Sequence, residues 1–118
     1  MSADTFSEAE LRALLEREEG QFLEFKSLWD LSSGARRTLD RRKARDIIAD
    51  VVAAFANADG GTLILGVEDD GTPTGHGYPP EAVADLLAVS ERRLRPPVRC
   101  ATQRAVSVCN AARGARWP

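Results

Sequence analysis

Apolar residues fall into three helical stretches separated by short extended ones. Over residues 6–19, Leu11, Leu14 and Leu15 recur at helical spacing between Glu and Arg, which predicts an amphipathic surface helix. Ser7 is placed to cap it, Glu10 to complete a capping box, and Gly20 to stop it. In residues 21–27, alternation puts Leu23 and Phe25 on one side of an extended segment and Glu24 and Lys26 on the other. Residues 28–39 have no clear period. Ser32, Ser33 and Gly34 mark a loop there, with Trp29 pinning its start.

The strongest helical signal covers residues 44–58, where Ile47, Ile48, Val51, Val52 and Phe55 form a broad stripe. Gly60-Gly61 ends it: one glycine can turn left-handed and the other can allow close backbone approach. Residues 62–67 are almost continuously apolar, as expected of a central strand covered on both faces. The stripe packed on Leu63, Ile64, Leu65 and Val67 is the expected core, each large side chain contributing about 1.5–3 kcal/mol on burial. An acidic turn, Glu68-Asp69-Asp70-Gly71 with Thr72-Pro73, follows. Pro79-Pro80 opens a helix striped by Val83, Leu86 and Leu87, extending toward Val89 and Leu94, and Pro96-Pro97 closes it. Residues 98–108 carry one weakly alternating strand, and residues 110–118 show no pattern. These elements predict an α/β (α+β) fold: a single small domain whose mixed β-sheet is packed by two or three helices.

Composition agrees with one domain, since 118 residues with 43% apolar content suffice for one core. Charge adds an asymmetry. All 18 acidic residues lie in residues 1–91 beside 9 of the 16 basic ones, while residues 92–118 hold 7 basic residues and no acid. A basic terminal segment suits a polyanion, or it is simply positive and disordered. Cys100 and Cys109 lack CxxC spacing and a histidine partner, which argues against zinc. The acidic start is no signal peptide, and no apolar run approaches the roughly 20 residues that span a bilayer. The expectation is a cytoplasmic protein with reduced thiols and no membrane association.

The clearest candidate for binding is the run Arg36, Arg37, Arg41, Arg42, Lys43 and Arg45, broken by Asp40. Cations at a helix start oppose the macrodipole by about 0.3–1 kcal/mol each, so the cluster calls for a reason. Nucleic-acid phosphates are one; a solvated first turn capped by Asp40 is the other. His76, the only histidine, is read as incidental in its loop.

Several strings together resemble a known family: Glu19 and Glu24-Phe25-Lys26, then Ala54-Phe55-Ala56-Asn57-Ala58-Asp59-Gly60-Gly61-Thr62, then Leu65-Gly66-Val67-Glu68-Asp69-Asp70-Gly71 and Gly75. They look like the Schlafen-type AlbA domain, also called AlbA_2 or divergent AAA-4, over residues 6–98, with 99–118 an atypical basic tail. The resemblance implies a nucleic-acid-binding α/β domain. In bacteria such a domain commonly opens transcriptional regulators with ATP-binding and winged-helix regions. In animals two lobes clamp RNA, and some members cut structured RNA with three carboxylates and a divalent metal. Carried over, the triad is Glu19, Glu24 and Asp69, with Asp70 the alternative to Asp69. It would hold Mg2+ or Mn2+, which polarises a phosphoryl oxygen and activates water. Lys26, beside Glu24, would hold phosphate.

The chain departs from the family pattern in being one lobe, so a clamp would require a homodimer. Residues 100–118 do not look like the family's continuation, which suggests a truncated or frame-shifted product. Four readings follow: a nucleic-acid-binding domain of a transcriptional regulator, a metal-dependent endoribonuclease, a nucleotide (ATP)-binding regulatory domain, and a non-functional fragment. The third lacks a GxxxxGK[ST] loop, and Gly60-Gly61 lies at a helix C-terminus, the wrong pole for phosphate.

Overall fold

The computed structural model describes the backbone of residues 7–98, 100–103 and 106–109. Among the described residues the main sheet has four strands in the order β1-β4-β6-β5: β1 (Leu23–Lys26), β4 (Gly61–Leu65), β6 (Val106–Cys109) and β5 (Cys100–Gln103). β1 and β4 run parallel, in register from Leu23 opposite Thr62 to Lys26 opposite Leu65. β6 is antiparallel to both β4 and β5, so the sheet is mixed. A separate two-stranded ribbon, β2 (Trp29–Asp30) with β3 (Arg37–Thr38), occupies the segment expected to be a loop. Its strands are two residues long, too short to show a period.

The described residues form four helices, α1 (Glu8–Leu15), α2 (Arg41–Asn57), α3 (Pro80–Leu87) and α4 (Val89–Arg92). The Ser7–Glu10 capping box forms in both directions: the Ser7 hydroxyl accepts from Glu10 N–H at 3.1 Å, and Ser7 N–H donates to the Glu10 carboxylate at 3.0 Å. α1 ends at Leu15 instead of running to residue 19. Its apolar stripe stops there, and three of the next four residues are glutamates, which oppose the negative end of a helix. α2 starts three residues before the expected position because Asp40 caps it, accepting from the N–H groups of Arg42 at 2.8 Å and Lys43 at 3.4 Å. The helix expected after Pro80 is divided at Ala88 into α3 and α4. The single strand expected over residues 98–108 is two, β5 and β6.

Two apolar layers hold the sheet. On one face, Ile48, Val52 and Phe55 of α2, Leu86 of α3 and Val89 of α4 pack with Leu63 and Leu65. On the other, Leu23, Phe25, Ile64 and Val67 are covered by Leu11, Leu14 and Leu15 of α1. β4 is therefore covered on both faces, which is why its sequence lacks polar alternation. Gly60, at φ +91°, makes the left-handed exit from α2 and donates to Phe55 O at 2.9 Å. Gly66, at φ +80°, ends β4 before Val67, and Val67 bridges Pro73 across the acidic turn.

That turn leans on the end of α1 through Gly71. A methyl group there would overlap the carbonyl oxygen of Leu15, and the residue's φ of +87° is itself unfavourable for a side chain. Gly75 has a similar φ, +69°, but open space around it. Gly71→Ala should therefore lower the urea midpoint by the equivalent of more than about 1 kcal/mol, and by clearly more than Gly75→Ala. Equal losses would show that backbone strain alone, without the α1 contact, sets the cost.

Candidate nucleic-acid interface and the acidic cavity

The predicted site residues separate into two regions. At the end of α1, residues Leu15 to Glu19 and the turn residues Asp69 and Asp70 line an open cavity of about 580 Å³. Glu19 and Asp69 are thus brought to one place. Glu19 has a further task. β1 is an edge strand, and its Phe25 N–H donates to Glu19 Oε1 at 2.8 Å, while Phe22 and Lys26 carbonyls accept from β4-side N–H groups. The carboxylate closes an edge position that would otherwise be open to another strand. In the turn, Asp70 Oδ1 accepts from Thr72 N–H at 2.9 Å, and its hydrogen bonds to Thr72 hold its carboxyl below the usual range. Glu68 accepts from the Thr74 hydroxyl at 2.6 Å.

Glu24 does not line this cavity. Its neighbours Leu23 and Phe25 point into the α1-side core, so strand alternation sends Glu24 to the opposite face, where Lys26 Nζ lies 3.2 Å from Glu24 Oε1. Among the described residues, no group of three or more His, Cys, Asp or Glu side chains could hold a metal ion together. Of the three carboxylates expected for Mg2+ or Mn2+, Glu19 and Asp69 line the cavity and Glu24 does not.

The second region is basic. The β2–β3 ribbon is fastened to the body by its apolar and polar side chains together. Trp29 Nε1–H donates to Thr74 O at 3.0 Å, Leu39 N–H donates to Leu28 O at 3.0 Å, and the Tyr78 hydroxyl donates to the Leu39 carbonyl. Gly77 lets Thr38 and Trp29 come close, since a Cβ there would overlap the Thr38 hydroxyl. The ribbon thereby delivers the chain to Asp40 and the start of α2. Arg36 stacks its guanidinium over the Trp29 ring, 4.3 Å from the centroid.

Arg41, Arg42 and Lys43 are the first three residues of α2, all exposed, and with Asp40 and Arg45 they line a shallow cavity of about 660 Å³. Arg37 and Lys43 both lower the carboxyl of Asp30, after the larger effect of its Ser32 hydrogen bonds. Arg37 of the ribbon and Lys43 of the helix start are thus both within electrostatic reach of Asp30. Arg36, Arg37, Arg41, Arg42 and Lys43 form no salt bridge among the described residues. The remaining two predicted cations are engaged: Lys26 with Glu24, and Arg45 with Asp85 at 3.5 Å, an acid that also meets Arg92 at 3.6 Å.

Sequence reasoning missed the anchors Thr74, Gly77 and Tyr78. The one available signal was an aromatic residue beside Pro79 in an irregular stretch, since Tyr78 is only 8% exposed.

Two measurements check these roles. Glu19→Ala should cost on the order of 1 kcal/mol in urea unfolding by stripping the Phe25 N–H of its acceptor, whereas Glu19→Gln keeps an acceptor and most of the stability. An unchanged midpoint in Glu19→Ala would remove the edge-closing role. Tyr78 titrates above its ordinary value because burial, then the charge of Asp40, disfavour the phenolate. The folded state thus holds its proton more tightly, so this contribution is complete below about pH 10 and is lost as pH rises through the folded value. Tyr78→Phe should lack that alkaline component; identical alkaline profiles for the two proteins would contradict it.

No helix among the described residues is long and apolar enough to cross a membrane. A comparison with curated proteins finds no significant match. The family model described as Schlafen, AlbA_2 matches residues 19–109, more than three quarters of the 118-residue chain, from Glu19 through the last strand of the sheet. The chain belongs to the Schlafen AlbA_2 family.

Proposed function

We propose that this domain binds nucleic acid through the β2–β3 ribbon and the first turn of α2, with phosphates as the primary ligand. Membership in the family suggests a nucleic-acid-related or ATPase-like domain. The observation that carries the first option is the gathering of Arg36, Arg37, Arg41, Arg42 and Lys43 without salt-bridge partners among the described residues. They are set on a chain whose net charge is −2. Three of them sit at a helix start, where their charges disfavour the helix and Asp40 offsets only part of that cost. A polyanion would reverse the sign of the penalty and release its own counterions. The chain carries no GxxxxGK[ST] loop, so a nucleotide-binding reading has no phosphate cradle of that type to rest on.

Contacts of this kind position a backbone and carry little base information. The proposed activity is therefore tolerant of sequence, and a role in transcriptional regulation would draw its specificity from elsewhere. Repulsion from the carboxylates of the cavity at the α1 end would steer a polyanion toward the basic surface.

Fluorescence anisotropy with labelled duplex, hairpin and single-stranded DNA and RNA tests the reading. Affinity should fall steeply as salt rises, with log K against log salt declining by about 0.9 per phosphate contacted on a duplex. Replacing Arg41, Arg42 and Lys43 together by Ala should weaken binding on every substrate and flatten the slope by up to about 2.7. Binding that is absent at low salt, or indifferent to the triple substitution, refutes the assignment.

A further inference from the structure

We infer that Cys100 and Cys109 are a redox-sensitive pair, able to close a disulfide across the last two strands of the sheet. The residues are nine apart in sequence and are direct register partners, Cys100 on β5 opposite Cys109 on β6. The phase of the ladder makes this pairing suitable. Only two residues separate the closing pair, Gln103 opposite Val106, and a closing pair of that kind exchanges both backbone hydrogen bonds. Antiparallel pairs then alternate, so Thr102–Ser107 is non-hydrogen-bonded, Ala101–Val108 hydrogen-bonded, and Cys100–Cys109 non-hydrogen-bonded. Non-hydrogen-bonded partners have Cα atoms about 4.5 Å apart and the closer Cβ atoms. That spacing lies at the lower end of the range of about 4.4–6.8 Å that a disulfide spans.

A second observation concerns access. Cys100 is half-buried and forms part of the wall of a cavity of about 340 Å³, with Leu87 and Ser90 from the helical layer and Thr102 from its own strand. A small disulfide would approach Cys100 from this side. Cys100 carries a thiol in the structure.

The oxidant is a low-molecular-weight disulfide of the glutathione class. The Cys100 thiolate attacks one of its sulfurs, forming a mixed disulfide and expelling one small thiolate. The Cys109 thiolate then attacks the Cys100 sulfur, forming the cross-strand bond and expelling the second. The two protein thiols lose two electrons and two protons; the small disulfide gains both as two thiols. Because β6 also pairs with β4, the bond fastens β5 to the part of the sheet that carries the core.

The test treats the folded chain with oxidised glutathione, blocks remaining thiols and digests with trypsin. Arg99, Arg104 and Arg113 flank the cysteines, so the peptides 100–104 and 105–113 appear joined only if the disulfide has formed. The expected result is that linked pair in a monomeric product, lighter by two hydrogens, with a higher urea midpoint that dithiothreitol reverses. Closure should be at least about tenfold faster in buffer than in denaturing urea, because the backbone register sets the two residues opposite one another. Cys109→Ser should retain the mixed disulfide at Cys100 but lose both the linked peptides and the midpoint shift. Separate peptides after exhaustive oxidation, linkage only between two chains, or equal rates with and without urea would each overturn the inference.

Discussion

The seat of the Phe55 ring on Gly61 governs how the rest of the molecule is placed. Any Cβ at Gly61 would meet three atoms of that ring at 2.5–2.7 Å, so the end of α2 can lie against the start of β4 only because the position is glycine. Gly60 makes the reversal immediately before it, donating back to the Phe55 carbonyl. With helix and strand locked at this corner, Ile48, Val52 and Phe55 share one apolar layer with Leu63 and Leu65. Ile64 is left for the other face. The same corner turns the chain so that β4 runs parallel to β1, bringing their carboxyl ends together.

Those carboxyl ends organise the surface. From β1 the chain passes into the Trp29 ribbon; from β4 it passes into Gly66, the acidic turn and Thr74. The indole N–H of Trp29 joins the two paths at Thr74, and Tyr78 adds a second tie at Leu39. A short ribbon with two-residue strands has little stability alone. Its position depends on these ties to the parallel pair, and the start of α2 depends on it in turn. The basic surface is thus held by a chain of contacts that begins in the core.

Charge is divided by the same geometry. Carboxylates collect where α1 ends and the Glu68–Gly71 turn leans on it, and cations collect at the opposite kind of helix end. Neither arrangement favours its helix, because acids lie at a C-terminus and bases at an N-terminus. At the acidic end part of the charge has a structural use: Glu19 closes the β1 edge and Asp70 shapes its turn. At the basic end Asp40 caps the helix and Arg45 reaches Asp85, while five cations are left facing outward with no salt bridge among the described residues.

Periodicity in the sequence was enough to locate α1, α2 and the covered strand β4, because burial on one or both faces leaves a regular mark on the order of apolar residues. Ser7 with Glu10, Asp40 and Gly60-Gly61 marked their ends by local chemistry that needs no distant partner. The family strings were equally local. The ribbon was not legible, since two-residue strands carry no period and their stability comes from Thr74, Gly77 and Tyr78, far along the chain. The division at Ala88 and the separation of β5 from β6 were hidden for a similar reason: packing and pairing set them, and the intervening residues are weakly patterned. The site residues divide the same way. That Glu19, Glu24 and Asp69 are acidic, and that cations crowd residues 36–45, belongs to the sequence. Alternation likewise set Glu24 and Lys26 on the face away from Leu23 and Phe25; only the three-dimensional arrangement brings Glu19 and Asp69 to one cavity without Glu24 and pairs Lys26 with Glu24. It also brings Arg37 of the ribbon and Lys43 of α2 within electrostatic reach of Asp30, because strand pairing acts across the chain while sequence spacing speaks only of near neighbours.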